Sequence, residues 1–522
     1  MSAIITDQLR ISNAKNFVST ASSTDNSYYT FVGLTNATDY YSTWDDSPPA
    51  PKDSFEQENE YWDTMIALKK IKPDDINLVV RKIVWTSGTI YDMYRHDISR
   101  DNPASQSRAT SLYSSNFYVV NSDFKVYICL DNGASPENDF RGNPSLDEPN
   151  FTDLEPKSAG DSGDGYIWKY LYTIKPSEII KFDSVNFIPV PKDWETNSEY
   201  FAIRSNAGAL NNQLKTILIK NRGVGLEPAN TIYTNVPIKG DGTGAEATIV
   251  INNDSRVESI TISSGGSDYT YGSVDLSSIS FPSGTTKPSF EVIIPPKGGH
   301  GANIYRELGS YNISIFSRIE NDNENPDFIT GNKIARVGIV ENPQSYNSIS
   351  LLDIDKASAI AALKLTGIGY STTSFSANST ITQTISTGTT AVGRVISYDK
   401  NTGVLKYWQD KTLVGFNSDG SRNENPTYGF NLNKFTSNVG SGGTTLISGT
   451  NLLIDTNFGS ETNPGISTII NNRIYNLGQS FVRGISNPEV KKYSGNIIYV
   501  DHRPSITRSS SQKEDIKVIL QF

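Results

Sequence analysis

Gly484-Ile-Ser-Asn-Pro-Glu-Val-Lys-Lys-Tyr-Ser-Gly-Asn-Ile-Ile-Tyr-Val-Asp-His-Arg-Pro-Ser-Ile-Thr-Arg-Ser-Ser-Ser-Gln-Lys-Glu-Asp-Ile-Lys-Val-Ile-Leu-Gln-Phe522 reads as a polar hinge, a strand, a Ser-rich turn and a final strand. Ile497, Ile498, Tyr499 and Val500 are β-formers behind the turn signal Ser494-Gly495. Pro504 has no N–H to give a ladder, so the first strand is expected to stop there. Ile516, Val518 and Leu520 fall on one face, and Phe522 continues that row to the last residue. The expectation is a C-terminus held in a sheet, since untied termini fray.

Working outward, 522 residues are enough for two to four domains with real cores. Forty Gly, 27 Tyr and 21 Phe against 3 Met and 1 Cys favour a turn-rich, mainly β architecture. A formal charge of −10 without any Lys/Arg-rich run speaks against a grip on nucleic acid. Neither a signal peptide nor an eighteen-residue apolar span is readable, so the expectation is a chain made and kept in cytoplasm, or in something assembled there, with no membrane partner. Cys129, the single cysteine, sits in the strand-like run Phe124-Lys-Val-Tyr-Ile-Cys-Leu130 and reads as a core residue.

Short apolar runs such as Tyr28 to Val32 alternate with polar turns up to Ser47-Pro-Pro-Ala-Pro51, a stiff connector. A helix over about 55–71 follows. Ser54 with Gln57 forms a capping box, Tyr61, Trp62, Met65, Ile66 and Leu68 make an apolar stripe, and Lys69, Lys70 and Lys72 precede Pro73. Strands are read at Ile76 to Trp85, Asn116 to Val120, Lys125 to Leu130 and Tyr166 to Ile174, with a long polar loop from Gly142 to Gly165. Residues 206–297 carry an internal repeat. Shifted by 43 positions, Thr216-Ile-Leu-Ile-Lys220 lies on Ser259-Ile-Thr-Ile-Ser263, Gly223 on Gly266, Leu226 on Tyr269, and Thr248-Ile-Val-Ile251 on Glu291-Val-Ile-Ile294. Further strands are expected at Ile381 to Ile385, Gly393 to Tyr398 and Gly403 to Trp408, the last two joined at Asp399-Lys-Asn-Thr-Gly403, with a short helix at Asp355 to Leu363.

Reactive constellations are thin. Gly160-Asp-Ser-Gly163 matches the nucleophile sequence of chymotrypsin-like proteases, but the triad also needs an upstream histidine base and its aspartate. The only upstream histidine, His96, sits in an unrelated Tyr94-Arg-His-Asp97, so Ser162 reads as a turn residue. Three scattered histidines (His96, His300, His502) make a zinc site improbable, and Asp322-Asn-Glu-Asn325 has proline where a calcium loop wants glycine. Asp501-His502-Arg503 reads as a polar strand end, and Gly223-x-Gly225 and Gly242-x-Gly244 as turns.

Gly163-Asp-Gly-Tyr-Ile-Trp-Lys-Tyr-Leu-Tyr-Thr-Ile174 and Tyr493-Ser-Gly-Asn-Ile-Ile-Tyr-Val-Asp-His-Arg-Pro504 with Glu514-Asp-Ile-Lys-Val-Ile-Leu-Gln-Phe522 together resemble the dimeric baseplate wedge subunit of T-even-like contractile-tailed bacteriophages, as a longer relative with insertions. The resemblance spans roughly 1–200, 300–345 (around Ile304-Tyr305 and Arg336-Val-Gly-Ile339) and 480–522. It implies no catalysis, no cofactor and no metal. It also implies a homodimer packed against other wedge subunits in the virion tail baseplate, assembled in the host cytoplasm and rearranged at tail contraction. The motif positions it marks, as structural ones, are Gly163, Asp164, Gly165, Tyr166, Trp168, Tyr170, Gly495, Tyr499, Arg503, Pro504 and Phe522.

The expected fold is therefore a mainly β, multi-domain sandwich and sheet architecture with few short helices and Gly/Ser/Thr-rich β insertions. A β-rich core with one helix occupies 1–205, an inserted repeat domain 206–297, a return to the core 298–345, a second insertion 346–479, and completing strands 480–522. A rival reading is a receptor- or glycan-binding tail protein, motivated by the repeat and by the abundant aromatics.

Overall fold

A computed structural model of the chain describes residues 3–36, 43–208, 213–277, 279–320, 333–386, 389–409, 437–439, 452–459, 467–470, 473–476, 481–507, 509 and 512–522. The stretch Asp322-Asn-Glu-Asn325 and most of 410–480 lie outside these residues. The protein is mainly β, built of several antiparallel sheets with few short helices. It divides into two compact units, one of residues 1–18, 76–314 and 518–522, the other of 19–75 and 315–517.

In the first unit, Lys125–Asn132 pairs with Tyr118–Val120 on one side and Tyr166–Thr173 on the other, placing Ile128 opposite Tyr118 and Cys129 opposite Trp168. Ile76–Arg81 pairs with Phe187–Pro189. The last residue is tied as the sequence led one to expect: the Phe522 N–H donates to Tyr311 O at 3.1 Å and its ring lies 5.6 Å from that of Phe17. The 206–297 repeat shows its symmetry through exchanged pairing. Thr216–Asn221 pairs with Ser289–Ile293 and Thr243–Ile251 with Val257–Ser267, so each strand of one copy bonds to a strand of the other. Gly223 and Gly266, equivalent in the repeat, both adopt positive φ, and the equivalent Leu226 and Tyr269 are both buried. Gly244 stands within a strand rather than in a turn.

The second unit has two sheets face to face. One runs in the order Lys356–Ser358, Met65–Lys70, Tyr28–Gly33, Lys333–Glu341, Asn496–Thr507; the other is centred on Thr380–Ser386, Thr389–Asp399, Val404–Trp408 and Ala361–Thr366. Val32, Ile66 and Ile334 of the first sheet share a core with Ile396 and Trp408 of the second, side chains from both sheets filling the interior. Strand Asn496–Thr507 thus lies in one sheet with strands from the first seventy residues, and the turn over 399–403 joins its hairpin as expected.

Four local expectations are corrected. The helix near 55–71 ends at Thr64, and Met65–Lys70 is a strand; Met65, Ile66, Ala67 and Leu68 are all buried, which suits a strand covered on both faces better than a one-sided helix. Ser54 does cap it, accepting from Gln57 N. The chain start contains a helix, Asp7–Ala21, not only strands; its inner face is Ile11 and the small Ala14, a stripe too slight to stand out. Asp355 to Leu363 is no helix. Lys356–Ser358 and Ala361–Thr366 are strands paired with Met65–Lys70 and Val404–Trp408, tertiary pairing overriding alanine's helix preference. Finally, Pro504 does not end its strand, which runs to Thr507. The strand is at a sheet edge and its register slips between the pairs Ile334/Ile506 and Arg336/His502, leaving the proline in a bulge where no ladder N–H is demanded.

Candidate functional site

The residues around the first motif converge on a loop anchor. Asp164 follows Gly163, which has φ +70, and its carboxylate accepts from Tyr166 N and Leu146 N, each at 2.9 Å. Gly165 has φ +86, and a Cβ there would meet Gly133 Cα at 3.0 Å. The Tyr166 hydroxyl donates to Asn143 O at 2.7 Å and accepts from Tyr91 N at 2.9 Å. Its ring stacks on Trp168 at 5.3 Å, and burial pushes its phenol pKa up. Tyr170 bonds Thr173 and faces Tyr127. These groups fasten the polar loop 142–165 to the sheet, which a loop of that length needs in order to hold one conformation.

The protease-like sequence does not assemble a triad. Ser162 N donates to Asp147, whose pKa the Ser162 contact lowers, while His96 Nδ1 accepts from Ile294 N. Cys129 is buried, donates to Asp131 O and has its thiol pKa raised by burial, so it is a core residue. His300 and Glu307 form a buried pair at 2.6 Å, with Glu307 also accepting from Gly301 N and the Tyr94 ring edge-on to the imidazole at 4.6 Å. No group of His, Cys, Asp and Glu able to hold a metal ion occurs among the described residues. Nor is any helix among them long and apolar enough to cross a membrane.

The second motif builds a cation box within the other unit. Arg336, 1% exposed, donates from Nη1 to Thr64 Oγ1 at 2.7 Å and from Nη2 to the Glu60 carboxylate. Its guanidinium lies 5.4 Å from the Trp44 ring centre and 5.3 Å from that of Tyr61, and Nε has no partner. His502 packs against the same rings at 4.9 and 5.7 Å. Its Nδ1 is 2.8 Å from Pro49 O, which ties down the proline connector, and burial followed by the Arg336 charge lowers its pKa. Arg503 O accepts from Trp44 Nε1 at 2.9 Å, while the Arg503 side chain pairs with Asp501 at 2.6 Å. Gly495, φ +76, permits the approach to Glu341, whose carbonyl a Cβ would meet at 2.3 Å. Tyr499 sits opposite Ile339. Sequence reading placed His502 and Arg503 at a strand end, whereas they lie inside Asn496–Thr507, and it missed Arg336 as the centre of this box.

No protein-family model matches the chain, and no curated protein matches it.

A cleft of about 900 Å³ opens elsewhere in the second unit, between the loop 346–349, the end of Val404–Trp408 and the segment 485–493. Tyr346, Trp408 and Tyr493 contribute rings to its lining, Asn347, Gln409 and Asn487 amides, and Lys491 and Lys492 charges. The Lys492 ammonium donates to Asp63 O at 2.9 Å, and burial brings its pKa down to about 8. The Tyr493 hydroxyl bonds the Asp63 carboxylate. Four segments meet here, 346–349, 359–361, 407–409 and 485–493, so no local motif announced the cleft.

Proposed function

We propose that the protein is a non-enzymatic structural subunit of a phage tail baseplate wedge, a homodimer that assembles through protein contacts and takes part in the rearrangement at contraction. The observation that carries the reading is the ordered set of family-like motifs together with what their residues do: Asp164, Tyr166 and Trp168 fasten a long loop, and Tyr499, His502 and Arg503 complete a strand packed on Trp44, Tyr61 and Arg336. Those roles suit a part that must keep its shape under load, because buried aromatic and charge-assisted contacts fix one packing. The acidic balance of −10 keeps such a part from adhering to packaged nucleic acid. In sedimentation of the purified chain, the reading expects a species of twice 57.3 kDa. Co-expression with the products of neighbouring reading frames should then yield a stable complex. A strict monomer that also fails to join any neighbour overturns the reading.

A further inference from the structure

We propose that the cleft of the second unit bounded by Tyr346, Trp408 and Tyr493 is a binding site for an acidic oligosaccharide, of the uronate-bearing kind. The inference is independent of the wedge reading.

Size is the first argument. About 900 Å³ is at the upper end of what small-ligand sites occupy, and it accommodates several pyranose rings. The second is the chemistry of the walls. Tyr346 is 41% exposed, so its ring offers an apolar face in a concave site, as the C–H faces of sugar rings require, while Tyr493, held by Trp62 and the Asp63 carboxylate, forms a fixed wall beside it. Beside them the side-chain amides of Asn347 and Asn487 are exposed and make no hydrogen bond within the protein, leaving donors and acceptors for hydroxyl groups.

Charge decides the class of sugar. Among the described lining residues there are two lysines and no carboxylate, in a chain whose net charge is −10. Lys491 Nζ spends one donor on Gln344 Oε1 and Lys492 Nζ one on Asp63 O, so each ammonium keeps donors for an anion. A ligand carboxylate would offset the cost of holding Lys492 away from water. Two cations are too few for a nucleic-acid track, and an acidic peptide would leave the rings and free amides without matching partners.

The site is also held in shape before any ligand arrives. Tyr346 N donates to Glu489 O at 2.8 Å, and Gln344–Ser345 pairs with Val490–Lys491, locking the loop to the opposite wall. Asn347 and Tyr493 both sit in the left-handed region, at φ +53 and +62, which fixes the turns on the two sides of the cleft. Preorganisation of this kind lowers the ordering cost of binding.

The test is calorimetric titration of the full chain, at low and at physiological salt, with hexagalacturonate, neutral cellohexaose and hexaglutamate. The proposal expects saturable binding of hexagalacturonate that weakens with salt, with cellohexaose and hexaglutamate at least tenfold weaker. Tyr346→Ala and Asn487→Ala, both at exposed positions, should each lower hexagalacturonate affinity about tenfold with an unchanged melting curve, whereas Phe201→Ala in the other unit should leave it unchanged. The proposal is overturned by no saturable hexagalacturonate binding, by binding that both cleft variants leave intact, by equal binding of cellohexaose, or by hexaglutamate binding as tightly, which would mark a site for acidic peptides.

Discussion

Replacing Arg336 with leucine removes the cation on which the connector, the helix and the strand Asn496–Thr507 converge. Truncating one member of a buried ion pair costs about 3–5 kcal/mol, because the partner is left uncompensated. Here the Glu60 side chain is 24% exposed and regains some water, which sets this part near the lower bound, about 3 kcal/mol. Loss of the guanidinium from the faces of Trp44 and Tyr61 adds about 1 kcal/mol. The total, about 4 kcal/mol, corresponds to nearly a thousandfold in an opening equilibrium. Amide hydrogen exchange read by mass spectrometry suits a two-unit chain, since it follows peptides from 333–341 and 496–507 separately from those of 118–132. Protection should collapse in the first two and hold in the third. Glu60→Leu combined with Arg336→Leu should cost less than the sum of the single changes, by about 1–2 kcal/mol, the coupling expected of neighbours in one network. A loss below about 1 kcal/mol, or strict additivity, would refute the reasoning.

Three further outcomes follow from the same structure. Gly495→Ala places a Cβ at 2.3 Å from Glu341 O in a left-handed backbone, and should cost about 2–3 kcal/mol in urea denaturation. Glu489, which accepts from Ser358 N, has its carboxyl pKa raised to about 7 by burial. The folded state therefore binds the proton more tightly than the unfolded chain, and stability should fall as pH rises from about 4.5 to 7. The loss should be about 2 kcal/mol after allowing for the group's partial exposure, and Glu489→Gln should flatten that part of the profile in melting curves across pH 4 to 8. Deleting 518–522 removes the Phe522 bond to Tyr311 and the ring contact with Phe17, and should reduce protection of the 311–314 segment in hydrogen exchange.

Strands whose β-branched and aromatic residues stood between turn signals were legible one by one: 28–32, 125–130, 166–174 and 393–398 all match strands within a few residues. The start of the helix at Ser54 was legible because a capping hydroxyl has a local cause. Its end was not, because Tyr61, Met65 and Leu68 satisfy a helical stripe while Met65 to Leu68 also form a continuous apolar run, and only the pairing with Tyr28–Gly33 decides between them. The helix Asp7–Ala21 escaped notice because much of its inner face is alanine amid Ser, Thr and Asn. Arg336 offered no local sign of burial, since the rings that receive it come from residues 44 and 61, nearly three hundred positions earlier. The same holds for the cleft, whose walls are contributed by four separate segments. Motif chemistry travelled better than long-range assembly: the rejection of Ser162 as a nucleophile needed only the unlike surroundings of His96, and their separate hydrogen-bond partners agree.

The central proposal, a place in a tail baseplate, is tested most directly by electron microscopy of virions purified from cells that express the genome carrying this reading frame, labelled with antibody raised against the chain. The account predicts label confined to the plate at the tail end, arranged around the six-fold axis. Virions that carry no label, or carry it on the capsid or tail shaft, would contradict it.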